Sequence, residues 1–253
     1  MRAIFDLPLL LLAVTFALQA GAAHLAAFAR RRTLSLEPAD RDDLGLILAA
    51  TLTLLGLIIG FAFSMAISRY DLRKGYEEAE ANAIGTEYAR ADLLPAADAA
   101  TVRALLVEYL EKRIAYYSAS EKSELASINR STAQLQTRLW NAVRSPALAN
   151  PNPVAALVLA GMNDVLNSQG YAQAEWWNRI PHSGWLLMIA IAVSANVLMG
   201  FVAKSRRKAI LLILPLIVAL GFLLIADIDS PRGGLIRVVP QNLLSLAESL
   251  RGP

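Results

Sequence analysis

Four stretches of apolar residues dominate the hydropathy pattern of the chain. They run from about Leu7 to Ala29, Leu44 to Ile67, Gly184 to Ala203 and Ala209 to Ala226. A helix rises about 1.5 Å per residue, so each stretch is long enough to cross about 30 Å of hydrocarbon. Apart from His24, none of these residues is ionisable, and a buried proton relay is not expected. The pattern predicts four transmembrane helices.

The first stretch also has features of a signal peptide. Met1 and Arg2 precede the apolar run, and the small residues Ala20, Gly21 and Ala22 could form a cleavage site. The apolar run nevertheless continues to Ala29 and ends in three arginines, as a stop-transfer sequence does. We therefore favour an uncleaved helix and keep the signal peptide as the alternative.

The region between the second and third spans predicts further helices. Apolar residues recur there at helical spacing in three segments: Val102 to Ile114, Leu125 to Val143, and Val154 to Val165. No stretch alternates with period two, so no sheet is expected. The predicted fold is an all-α membrane protein with a helical domain inserted between helices two and three. Its expected parts are residues 1–69 (helices one and two), 70–181 (helical domain), 182–228 (helices three and four) and 229–253 (tail).

Composition agrees with a membrane protein and excludes several classes of function. Of the 253 residues, 56% are apolar and 18% are charged, against about 45–50% and about 25% in soluble domains. The net charge of +3 is too small to indicate a nucleic-acid partner. The absence of cysteine excludes disulfides and thiol chemistry, and the two histidines have no metal-ligand spacing. We expect no metal and no cofactor.

The sequence contains no pattern that indicates an enzyme. We recognise in it no nucleophile–base pair, no set of metal ligands and no phosphate-binding glycine loop. No catalytic residue is therefore predicted.

The second span carries a stripe of small and hydroxyl residues. Gly56, Gly60, Ser64 and Ser68 recur every four residues, and the adjoining stripe of Thr53, Leu57 and Phe61 has the same spacing. Such a stripe serves either close helix–helix packing or the wall of a pore. The candidate pore-lining residues are Thr53, Leu57, Gly60, Phe61, Ser64 and Ser68.

Acidic residues follow the second span at once. Glu77, Glu78 and Glu80 would ring a vestibule and attract cations if the helix continued along a central axis. The alternative is an ordinary solvated helix whose charges have no function in conduction.

Two further groups have simpler interpretations. Trp176, Trp177 and Trp185 flank the start of the third span, where we expect them to anchor the protein among lipid headgroups. Asp227 and Asp229 could in principle bind calcium, but two acidic residues fall short of the six or more oxygens that calcium needs. We expect them to cap a helix end and a turn.

The orientation in the membrane is finely balanced. The two short loops carry eight basic residues near span ends: Arg30, Arg31, Arg32, Arg41, Lys204, Arg206, Arg207 and Lys208. The other side carries seven: Arg2, Arg69, Arg73, Lys74, Arg179, Arg232 and Arg237. The positive-inside rule weakly favours cytoplasmic short loops and an external helical domain.

Several motifs resemble those of a known family. The segment from Gly60 to Tyr70 resembles the second helix of bestrophins, and Asn178 to Pro181 looks like the approach to their third span. Asp227 to Gly233 is similar to the acidic segment after their fourth span. The segment from Glu80 to Pro95 resembles an uncharacterised bacterial bestrophin-like family, and that resemblance extends from about Leu44 to Leu250.

The resemblance implies a fold and a function. Bestrophins are pentameric passive channels, chloride-selective in animals, with bacterial relatives that favour cations and with a cytosolic helical domain. Carried onto this chain, Phe61 would be a neck residue, with Leu57 and Thr53 one and two turns above it. The acidic calcium clasp of the animal channels is absent, so calcium gating is not implied. The cytosolic placement opposes the orientation that the charge rule favours.

These observations lead to one main expectation and one alternative. We expect an oligomeric ion channel, a homopentamer in a bacterial inner membrane, whose partners are lipid and small inorganic ions. The alternative is a membrane scaffold or sensor whose helical domain binds a partner without conduction.

Overall fold

The computed structural model describes residues 7–33, 37–203 and 208–252. Over these residues the chain is helical and contains no strand. The helices are α1 (Pro8–Thr33), α2 (Pro38–Arg90), α3 (Ala96–Ser118), α4 (Lys122–Ala149), α5 (Pro153–Trp177), α6 (His182–Val202), α7 (Ile213–Asp229) and α8 (Gln241–Arg251). Met1, Arg2, Lys204, Arg206 and Arg207, which enter the predictions on the signal peptide and orientation, lie outside the described residues.

In the part of the chain that the structure describes, four helical segments are long and apolar enough to cross a membrane, which confirms the predicted number of spans. They lie within Pro8–Arg32, Pro38–Leu93, Pro153–Val202 and Ala209–Asp229. The second of them extends far beyond its apolar part, because α2 continues without interruption to Arg90.

The chain divides into two compact units. Unit 1 contains residues 1–69 and 179–237, and unit 2 contains residues 70–178 and 238–253. The expected tail at 229–253 is thus shared between the units, since its last helix, α8, belongs to unit 2.

In unit 1, α1 packs closely against α6. A Cβ atom on Gly200 would overlap the carbonyl oxygen of Ala23 and lie 2.7 Å from the Cβ of Ala26. The side-chain amide of Asn196 donates a hydrogen bond of 3.1 Å to Oε1 of Gln19, and both side chains are buried. Small residues that allow backbones to approach, and amides that bond across helices, are typical of membrane helix pairs.

Two of the three tryptophans expected at the membrane surface lie in the protein interior instead. Trp185 is buried in unit 1, with its ring 6.1 Å from that of Phe222. Trp176 is buried in unit 2, where Tyr116 and Tyr117 contact it edge-on. The anchoring prediction is wrong for both, because each ring fills a core position. Trp177 alone is strongly exposed.

The core of unit 2 is built from α3, α4 and α5 together with the second half of α2. Fully buried apolar side chains from these helices meet there, among them Ile84, Leu106, Leu139 and Met162. Helix α8 adds Leu243, which is also fully buried. Helical periodicity predicted α3, α4 and α5. Prolines mark the start of two of these helices: α3 begins directly after Pro95, and α5 begins with Pro153.

Candidate functional site: the two faces of the long helix

Along its membrane span, helix α2 has one face packed inside unit 1 and one face free. Leu55, Ala62 and Ala66 are buried, and they recur at intervals of seven and four residues. The opposite face is exposed and contains all six predicted pore-lining residues: Thr53, Leu57, Gly60, Phe61, Ser64 and Ser68. Phe61 is 65% exposed and Leu57 is 54% exposed, although both are large and apolar.

This free face distinguishes α2 from the other spans. Only 6% of its apolar window is buried, against 28%, 33% and 39% for the windows of the other three. The hydroxyl of Thr53 donates to the carbonyl oxygen of Ala49, so this polar group is satisfied within its own helix. This face mixes glycine, serine and large apolar residues, and it must contact water, lipid or other helices.

Glu77 does not line a vestibule as predicted, because other groups surround it. Glu77 is 1% exposed, and its carboxylate accepts hydrogen bonds from the backbone N–H of Leu243, at 2.9 Å, and from the side chain of Asn242, at 2.6 Å. Both donors lie in the first turn of α8. A carboxylate at the N-terminus of a helix binds its unpaired N–H groups and opposes its dipole favourably. Glu77 therefore fastens α8 to α2 within unit 2.

Glu80 is likewise enclosed rather than directed at a vestibule. It is fully buried and forms an ion pair with Arg113 of α3, which is also fully buried. Tyr117 donates a further, long hydrogen bond of 3.5 Å to the same carboxylate. Burial raises the pKa of Glu80, and the Arg113 guanidinium opposes that rise.

Only Glu78 of the three predicted vestibule residues is exposed. The helical phase explains the difference. At about 100° per residue, Glu78 lies about 40° from Ser64, whereas Glu77 and Glu80 lie about 140° and about 160° away. Glu77 and Glu80 share a face, as their spacing indicated, but it is the face that packs inside unit 2.

Arg73 is a structural residue, although its position in the sequence indicated only a charge that flanks the span. It is 1% exposed and donates hydrogen bonds to the backbone carbonyl oxygens of Glu175, at 3.4 Å, and Asn178, at 3.2 Å. These carbonyls lie at the C-terminal end of α5, where a cation compensates the helix dipole. The buried positions 73, 77, 80, 84 and 87 repeat with the spacing of a heptad. That spacing is the pattern in the sequence that could have indicated a buried helix face.

Asp227 and Asp229 accept hydrogen bonds from backbone N–H groups in the loops, so they stabilise loop segments and neither caps a helix end as predicted. The carboxylate of Asp227 accepts from the backbone N–H of Leu235, at 2.7 Å, and of Ile236, at 2.9 Å. That of Asp229 accepts from the N–H of Ile180, at 3.1 Å, and from the side chain of Arg179. These donors occupy the oxygens that a cation would need.

Within residues 7–33, 37–203 and 208–252, no group of three or more His, Asp or Glu side chains is arranged to hold a metal ion.

The all-helical fold with four candidate spans defines a multi-pass membrane protein. The family model of the Bestrophin-like domain matches residues 11–243, and the chain belongs to that family.

Solved structures show the same fold. A bacterial bestrophin homologue from Klebsiella pneumoniae, solved as a single-residue variant, is 14% identical, with a TM-score of 0.62, over 94% of this chain and 97% of that one. A second single-residue variant of a Klebsiella pneumoniae bestrophin homologue is 13% identical, with a TM-score of 0.65, over 96% and 99%. No curated protein matches the sequence.

Proposed function

We propose that this protein is an oligomeric ion channel that conducts small ions passively through an axial pore lined by α2. The observation that carries the proposal is the free face of α2, which is exposed at every one of the six predicted pore positions while its other face is packed. Several copies around an axis would bring these faces together. Phe61 and Leu57 would then form apolar rings, which can gate by excluding water.

The same face supplies polar groups for permeating ions. Ser64 and Ser68 follow Phe61 towards the end of the span, and Glu78 continues the face beyond the membrane. A ring of Glu78 carboxylates raises the local concentration of cations, so the proposed channel prefers cations over anions.

The assembly that we propose is a homopentamer in a bacterial inner membrane, with the helical domain inserted between the second and third spans. Membership of the Bestrophin-like family supports this architecture, because the resemblance to bestrophins implies a pentamer with such a domain. The low burial of the α2 span supports an assembly around that helix, since neighbouring copies would cover it. Native mass spectrometry of the purified protein measures the number of subunits.

The decisive experiment is conductance of the purified protein in planar bilayers under a KCl gradient. We expect discrete currents, and we expect Phe61→Ala to raise conductance or alter selectivity because it widens the neck. Leu187→Ala is the matched control: Leu187 is a similarly exposed apolar residue, at 52%, on the span α6. Equal effects of both variants would remove Phe61 from the pore.

The alternative function, a scaffold or sensor without conduction, makes the opposite prediction. Its α2 faces would pack against each other through Gly60 and Ser64, in the way that small residues allow. Wild-type protein and Phe61→Ala would then both be silent in bilayers although verified as oligomers.

A further inference from the structure

Glu87 is a buried carboxylate with no function in the proposed pore. It lies on the second half of α2, is 0% exposed, and neither of its oxygens has a hydrogen-bond partner among the described residues. It faces Gly161 of α5, where a Cβ atom would overlap both the Glu87 carboxylate and the guanidinium of Arg90. The absence of a side chain at Gly161 thus makes the room that Glu87 occupies.

Charged side chains of both α2 and α5 surround Glu87, but none of them forms a hydrogen bond with its carboxylate. Arg90, one turn along α2, favours its ionised form, and Asp164 of α5 disfavours it. Beyond the end of α2, Asp92 pairs with Arg103 of α3, so that pair is already neutralised. A buried carboxylate without hydrogen-bond donors is costly when charged and much less costly when protonated.

We propose that Glu87 is a proton-binding switch of the helical domain: its neutral form fits against Gly161, and its ionisation loosens the contact between α2 and α5. Loosening admits water to the carboxylate, which supplies the hydrogen bonds that the protein does not. Because α2 is one helix from Pro38 to Arg90, the change acts on the element that lines the proposed pore. This effect on current rests on the proposed function, whereas the proton binding does not.

The pH range follows from the surroundings of the carboxyl. Burial, with a smaller contribution from Asp164, raises the pKa of Glu87 to about 8 against the opposing effect of Arg90. In the unfolded chain a glutamate has a pKa of about 4.3. Between these values the folded protein holds a proton that the unfolded chain has lost, so stability falls as pH rises and levels off above about pH 8.

Thermal unfolding of the full-length protein in detergent tests the switch without any measurement of current. We compare wild type with Glu87→Gln and Glu87→Leu, which both remove the ionisation, and with Glu124→Gln, which alters an exposed glutamate. Between about pH 6 and about pH 9 we expect the midpoint of wild type and Glu124→Gln to fall by about 4 °C or more relative to both Glu87 variants. A parallel pH dependence in all four proteins would overturn the proposal.

Bilayer currents over the same pH range test the connection to the pore. The expected result is a current that changes with pH in wild type and in Glu124→Gln but stays constant in both Glu87 variants. A pH-dependent current that persists in the variants would contradict the connection. Silence of every variant would count against the channel itself, while the unfolding data would still decide on the proton site.

Discussion

Glu80 and Arg113 form an ion pair in which both side chains are fully buried, joining α2 to α3 inside the helical domain. The two partners are not equivalent, because arginine keeps its charge at any accessible pH whereas a buried glutamate can accept a proton. Burial disfavours the charge of Arg113, but the Glu80 carboxylate together with the neighbouring Tyr109 and Tyr117 raises the pKa of Arg113 overall.

The first prediction follows from this difference between Glu80 and Arg113. Glu80→Gln leaves a buried guanidinium without its counter-ion and is expected to cost about 3–5 kcal/mol in the free energy of unfolding. Arg113→Met is expected to cost less, because Glu80 then becomes neutral by protonation. Denaturation in detergent measures both losses. An equal cost for the two variants, at neutral and at acidic pH, would contradict this account.

The close approach of α1 and α6 gives a prediction about packing. Gly200→Ala places a methyl group against the backbone of α1 and is expected to destabilise unit 1 by about 1–3 kcal/mol. Gly21→Ala is the control, since a Cβ atom there has no neighbour within 4 Å. If the thermal unfolding midpoints of the two variants were the same, the helices would not be in the described contact.

Asp227 holds the segment after α7 through two backbone N–H groups. Asp227→Asn removes the charge of the acceptor and is expected to cost about 1.5–3 kcal/mol, with faster hydrogen exchange at Leu235 and Ile236. Asp42→Asn, at an exposed position, serves as the control. Because N–H donors occupy the Asp227 and Asp229 oxygens, added calcium should leave the unfolding midpoint unchanged, and a calcium-dependent rise would reveal a different arrangement.

For the proposed channel, Glu78 is the residue expected to influence selectivity. Glu78→Gln should shift the reversal potential under a KCl gradient towards lower cation preference, since it removes the exposed carboxylate on the free face of α2. The exposed Glu124 lies on α4, so Glu124→Gln should have no effect on the reversal potential. If the two variants had the same reversal potential, Glu78 would be assigned to a solvated outer surface.

The orientation of the helical domain can be measured at Ser120, an exposed residue between α3 and α4. The chain has no cysteine, so Ser120→Cys introduces a single thiol. Membership of the Bestrophin-like family leads us to expect labelling by an impermeant thiol reagent only after the cells are lysed. Labelling of intact cells would place the domain outside, as the weak charge rule favours.

Hydropathy predicted the spans because hydrocarbon requires long apolar helices, whatever their partners. Helical spacing predicted α3, α4 and α5, because each of these helices must bury one stripe of apolar side chains. The functions of individual charges were harder to predict. Glu77 and Glu80 lie on the continuation of α2 beyond the span, and only their helical phase relative to Ser64 places them off the free face.

Other features depend on partners that are remote in the sequence. The carboxylate of Glu77 meets α8, which begins 164 residues later at Gln241, and no local pattern indicates that contact. Trp176 and Trp185 stand where interfacial tryptophans are common, and only the packing of Tyr117 and Phe222 makes them core residues. Single-sequence reasoning detects periodicity, but it does not detect which helix supplies the other half of a contact.

The hydrogen bond between Gln19 and Asn196 has a consequence for the order of biosynthesis. The two residues are 177 positions apart, so α1 enters the membrane long before α6 has been translated. During that interval the amide of Gln19 has no partner on α6, at a depth where an unsatisfied polar group is unfavourable. Until the third span arrives, the first span therefore carries an unpaired amide in lipid, and its insertion is less favourable than that of a wholly apolar helix.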